Sequence, residues 1–196
     1  VSSASLSTSE QILEAASNLI SAKGGADVTM SEVAKAAKLS RQAVYLHFAD
    51  RAQLFVSLAR YIDEKRGIGE EVRKIQEAPT AREALRIIVT VQARLNPGVW
   101  AIARTLDAVR RTDADAEHAW QDRLTHRLEG CRQIVARLKK EGALRKGLDA
   151  ETAADLLWSI TSLRTWEDLV LGRGWSPQQY EKQIYQLLQA ALLGAA

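Results

Sequence analysis

The chain has 196 residues, of which 46% are hydrophobic and 26% charged, an ordinary globular composition with length for one large domain or two small ones. Its 27 Lys and Arg against 24 Asp and Glu leave +3, and residues 1–66, with eight basic and seven acidic residues, leave +1, so bulk charge makes no case for nucleic acid. One cysteine, Cys131, and three scattered histidines exclude a disulfide framework and a cysteine-based metal site, and no apolar run reaches the length of a membrane span.

The N-terminal stretch VSSASLSTSEQ has no basic region followed by an apolar one, so no signal peptide is expected and the expected compartment is the cytoplasm. Ile12, Leu13, Ala16, Leu19 and Ile20 then fall on one helical face, with Thr8 or Ser9 to cap its start and Gly24-Gly25 to end it. Thr29 and Glu32 have the spacing of a capping box, opening a short helix that carries Val33, Ala34 and Ala37. Ser40 caps a third helix with Val44, Tyr45 and Phe48. Asp50 caps a fourth, in which Leu54, Phe55, Leu58, Tyr61 and Ile62 share a face. Gly67, Gly69 and Pro79 interrupt this pattern, and the boundary between two functional parts, 1–66 and 67–196, is placed there.

Five further stripes follow. Ala84 to Leu95 is stopped by Pro97, Val99 to Val109 comes next, and Ala116 to Leu138 is ended by Gly142. Residues 150–171 are capped by Asp149 and ended by Gly172; Tyr180 to Leu192 has Ser176 as cap and Pro177 at the first helical position. No segment sustains the alternation of a strand. The expected fold is all-α with about nine helices. The 150–171 segment is apolar on most sides and the last helix has a broad stripe. Leu157, Ile160, Ile184, Leu187 and Leu188 are therefore the expected subunit interface.

The stretch from Thr29 to Phe55 meets the demands of a helix-turn-helix. Ala34 is small enough for the helix crossing, and Val33, Ala37, Leu39 and Val44 are apolar where the pair must be pinned. Lys38-Leu39-Ser40 gives a three-residue turn. The first turn of the second helix offers Arg41, Gln42 and Ala43 to base edges, where Arg suits guanine and Gln suits adenine. Thr29, Ser40, Tyr45, His47 and Arg51 are the candidate phosphate contacts.

This stretch resembles the DNA-binding domain of the TetR family of transcriptional regulators, most specifically in Tyr45-x-His47-Phe48 followed by Arg51 and Leu54-Phe55. Leu156-Leu157-Trp158 and Gly174-Trp175-Ser176-Pro177 with Tyr180 are similar to the family's C-terminal regions. The resemblance implies a homodimer that binds a palindromic operator, mostly as a repressor, through an N-terminal three-helix domain. It also implies a C-terminal helical domain for dimerisation and for a small-molecule effector that releases the DNA. Two positions depart from the family pattern. Lys38 stands where Gly is usual, which matters if the backbone there has positive φ, and Gln42 stands where Gly or Pro is frequent.

Trp100 and Trp120 fall on helices that would wall a cavity for a small apolar or aromatic effector. Arg104, Asp107 and His118, a turn away, either orient a ligand or face solvent. Trp158, Trp166 and Trp175 read first as core or interface residues, and Trp166 is kept in the candidate ligand set. Cys131 reads as an inert core thiol. No nucleophile elbow, P-loop, zinc-protease or dinucleotide motif occurs, so no enzyme, cofactor or metal is expected. The alternatives are a DNA-binding regulator without a small-molecule ligand and a helical partner-binding protein.

Overall fold

The computed structural model of the chain describes residues 6–23 and 28–194. These form ten α-helices and one π-helical turn, and no strand occurs among them beyond an isolated bridge between Leu144 and Leu193. α1 (Thr8–Ala22) is capped by Ser7 rather than by Thr8 or Ser9, because Glu10 stands three residues after Ser7 and closes a reciprocal capping box with it. The expected stop at Gly24-Gly25 lies outside the described residues. α2 (Met30–Ala36), α3 (Arg41–His47) and α4 (Arg51–Lys65) start at Thr29, Ser40 and Asp50, as the sequence requires.

The next helix is an addition to the sequence reading. α5 (Ile68–Gln76) begins directly after Gly67, whose φ of +65° turns the chain out of α4 in a conformation that suits glycine. It buries no residue and is laced by Glu70–Arg73 and Glu71–Lys74 ion pairs. Ile68, Val72 and Ile75 had the right spacing, but two glycines concealed so short a stripe.

α6 (Ala81–Val109) corrects a second expectation, since it runs through Pro97 without a break. A helix-interior proline costs about 3 kcal/mol. The side chains buried on both sides of it, including Leu95, Ile102 and Leu106, offset that. α7 (Ala114–Lys140) ends in a full Schellman motif: Gly142, at φ +68°, donates to Lys139 O and Ala143 donates to Leu138 O.

The expected helix 150–171 is interrupted. α8 (Ala150–Ile160) stops at Thr161, Ser162 caps the four-residue α9 (Leu163–Trp166), and a π turn (Glu167–Gly172) follows. Thr161 ends α8 because its carbonyl is taken by Gln92 from α6, and its hydroxyl donates to Leu157 O at 2.6 Å. α10 (Pro177–Leu192) packs on α8.

The chain divides into two compact units, Val1–Arg66 with Gly98–Asp122, and Gly67–Pro97 with Arg123–Ala196. In the first, Ile12, Ile20, Val33, Val44, Leu54 and Leu58 are fully buried, and Leu106 of α6 belongs to the same core. In the second, Leu85, Leu138, Leu157, Tyr180 and Leu188 are fully buried.

Candidate nucleic-acid interface

α2 and α3 are fixed to each other by bonds at the turn. Lys38 N–H donates to Lys35 O and Leu39 N–H to Ala34 O, the two bonds of a Schellman motif in which Lys38 holds the left-handed position at φ +57°. Gln11 of α1 reaches across and donates its side-chain amide to Ala37 O at 2.8 Å, satisfying another carbonyl at the end of α2. Ala34 is buried at the crossing, as its size requires.

α3 is a short helix held by one face. Val44 and, just past its end, Phe48 are buried, while Arg41, Gln42, Tyr45, Leu46 and His47 are exposed. The Arg41 guanidinium carbon lies 5.9 Å over the Tyr45 ring, so residues one turn apart share the outer face. Ser40 Oγ accepts from Ala43 N–H at 3.1 Å, which leaves the hydroxyl proton to donate to a phosphate. Ala43 is half-buried beside that cap, and the His47 ring tilts 6.5 Å from that of Phe48. Leu46, the most exposed large apolar side chain described at 81%, was not singled out from the sequence; its place one turn after Gln42 was the available signal.

Two of the expected phosphate contacts have structural work as well. The Thr29 hydroxyl donates to Glu32 at 2.9 Å and accepts from its N–H at 3.3 Å. Lys23 pairs with the same Glu32 carboxylate at 2.6 Å, and with the Thr29 hydrogen bonds it pulls that carboxyl down to about 2. Arg51 is half-buried with its guanidinium 5.1 Å over Phe55, and it lines a groove of about 290 Å³ with Asp50, Thr112 and Asp113. α1 and α4 are clamped by Glu14, which accepts from Tyr61 at 2.6 Å and pairs with Lys65. That bond pushes the Tyr61 phenol up to about 12.

The family model for bacterial regulatory proteins of the tetR family matches residues 12–58, the span from α1 through most of α4. That span is therefore similar to the DNA-binding domain of tetR-family regulators. Among the curated relatives of the chain is the nucleoid occlusion factor SlmA of Marinobacter nauticus. It is 28% identical over 149 residues, which cover 74% of this chain and 73% of that one. Among solved structures, FadR of Bacillus subtilis in complex with stearoyl-CoA superposes with a TM-score of 0.73 at 22% identity, covering 92% of this chain and 97% of that one. NalD of Pseudomonas aeruginosa, the secondary repressor of the MexAB-OprM multidrug efflux pump, gives 0.71 at 20% identity and 95% of each chain. Both likenesses are of fold. No helix among the described residues is long and apolar enough to cross a membrane.

The residues expected to bind an effector fall in different surroundings. Trp100 is half-buried under the Arg104 guanidinium, 5.5 Å from its ring, and its indole N–H is buried without a partner. Asp107 accepts from Arg110 at 2.6 Å, and Arg110 also pairs with Glu117 and lies 5.2 Å over Trp120. These residues belong to the first unit; Trp166 is buried in the second. Of the residues expected at a subunit interface, Leu157, Ile184 and Leu188 are already buried within the single chain, Ile160 is half-buried and Leu187 is 49% exposed.

Proposed function

We propose that this chain is a TetR-family regulator, a ligand-responsive repressor of the cytoplasm. It binds a palindromic operator as a homodimer and is released by a small apolar or aromatic effector. The observation that carries the reading is the outer face of α3: a helix anchored by Val44 and Phe48 holds Arg41 and Gln42 out to solvent on its first turn. Arg41 reads a guanine edge and Gln42 an adenine edge, with Ala43 close enough to meet a thymine methyl. Ser40, Tyr45 and His47 hold phosphates, with Thr29 and Arg51 at the margins.

Each head covers one half-site, and two heads must sit about 34–36 Å apart to meet successive major grooves. Leu187 and Leu171, each about half exposed on the second unit, are apolar side chains available to a partner copy, and Ile160 of the same unit is half-buried. The complex of FadR with stearoyl-CoA supports an apolar effector, and the role of NalD supports repression. An effector acts only through its differential affinity for the DNA-bound and free arrangements.

Selection from a random duplex pool tests the reading. Enrichment of an inverted repeat whose halves lie one helical turn apart is the expected result. Enrichment of a single unrepeated site would remove the symmetric dimer from the account, and no enrichment would remove DNA reading itself.

A further inference from the structure

Four helices of the second unit bring polar groups to the C-terminal end of α8. Arg127 of α7 donates to Trp158 O at 2.7 Å and to Thr161 O and Oγ1, both at 3.3 Å. Its guanidinium carbon lies 4.5 Å over the Trp158 ring. Gln92 of α6 donates to Thr161 O at 2.7 Å and accepts from the Tyr180 hydroxyl of α10 at 3.4 Å.

Every partner of this guanidinium is neutral. Among the described residues no carboxylate pairs with it, and the titratable groups that act on it are Cys131 and Tyr180. Burial pushes these up to about 11 and about 12, so neither carries charge at neutral pH. Burial also pulls the Arg127 guanidinium below its ordinary value, so the cation is desolvated without a counter-ion.

Two buried donors of the same unit lack acceptors among the described residues. The Trp158 indole N–H, on the ring that Arg127 covers, is buried with no acceptor. Asn96 is 9% exposed, and its side-chain NH₂ is likewise without an acceptor. It stands one turn after Gln92 on the same face of α6. Capping α8 explains where Arg127 points, but not why two further buried donors lack partners.

We infer that this cluster is the anion-recognising end of the effector site, and that the effector is an apolar monocarboxylate. The inference rests on the reading of the chain as a ligand-responsive regulator and names its ligand class. A carboxylate presents two oxygens to the planar fork of a guanidinium and has acceptor capacity left for an indole or amide N–H. A single guanidinium balances one negative charge; a dianionic phosphate would leave one buried and unpaired.

The test is a titration of the full chain with sodium decanoate, sodium benzoate and the neutral 1-decanol, followed by thermal unfolding and by tryptophan fluorescence. Decanoate or benzoate should raise Tm and change the fluorescence saturably. Arg127→Gln should weaken that binding at least tenfold, whereas 1-decanol should bind both proteins alike and more weakly than decanoate binds the parent. Arg127→Lys keeps the charge but not the fork; it should fall between the two, and it serves if the Gln variant does not fold. Carboxylate binding undiminished in the Gln or Lys variant, or no response of the parent to either carboxylate, would show Arg127 to be a helix cap alone and overturn the inference. The same preparations assayed on selected operator keep the two claims apart. DNA retention without carboxylate binding removes only the ligand class, and carboxylate binding without DNA retention removes only the regulator.

Discussion

Lys38 sits in a backbone conformation that its own side chain disfavours. At φ +57° a residue with a Cβ is strained by about 1 kcal/mol, and the position is the one in a Schellman motif that glycine fills most readily. Lys38→Gly should therefore stabilise the protein by up to about 1 kcal/mol, the relief of strain being set against the extra freedom of glycine in the unfolded chain. Chemical denaturation of the two proteins measures it, and a loss of stability would mean that the lysine side chain makes a contact worth more than the strain. The departure from the family's glycine was visible in the sequence. Its consequence was not, because φ depends on how α2 ends and the chain turns back.

Among the elements, α2 owes its start to a charge. Glu32 is held at about 2 by Lys23 and by the N–H and hydroxyl of Thr29, against an ordinary 4.5. A carboxyl with its folded pKa depressed contributes stability that is complete above the unfolded value and is lost as pH falls through the folded one. Glu32→Gln should lower Tm at pH 7, and the gap to the parent should close between about pH 4.5 and about pH 2. A gap that stayed constant with pH would show that the carboxylate charge does not support the cap. Gly67 makes a second test. A Cβ there meets no atom, so Gly67→Ala isolates the positive φ and should cost about 1 kcal/mol; no change on denaturation would mean that the α4–α5 turn relaxes to another conformation.

Elements whose signals are local were legible in advance. The caps at Thr29, Ser40, Asp50, Asp149 and Ser176 lie within three residues of what they cap. The break at Thr161 was not legible, because its causes, Gln92 and Arg127, come from 69 and 34 residues away. Continuity through Pro97 was hidden for the same reason: local chemistry argues for a stop, and packing on either side prevails.

At the scale of the whole molecule, the proposed dimer depends on side chains left over after each chain has folded. Leu157, Ile184 and Leu188 are used up inside the chain, so periodicity alone could not separate core from interface in α8 and α10. Leu187→Glu changes a half-exposed position and should leave the fold intact while shifting the protein to monomers with weak operator binding. Sedimentation read alongside DNA binding decides it, and a persistent dimer would place the interface elsewhere. The candidate DNA face was legible because α3 is read from its own first turn. The buried cluster at Arg127 was not, since it is assembled from four helices.

In the proposed repressor, α3 reads base edges rather than resting on phosphates. The most direct measurement compares Arg41→Ala with the parent on the selected operator and on a scrambled duplex of equal length at one salt concentration. A loss of about 1–3 kcal/mol on the operator, relaxed preference at one base position, and little change on the scrambled duplex are expected. Equal losses on both would contradict base reading, because they would reduce Arg41 to a contact with the backbone.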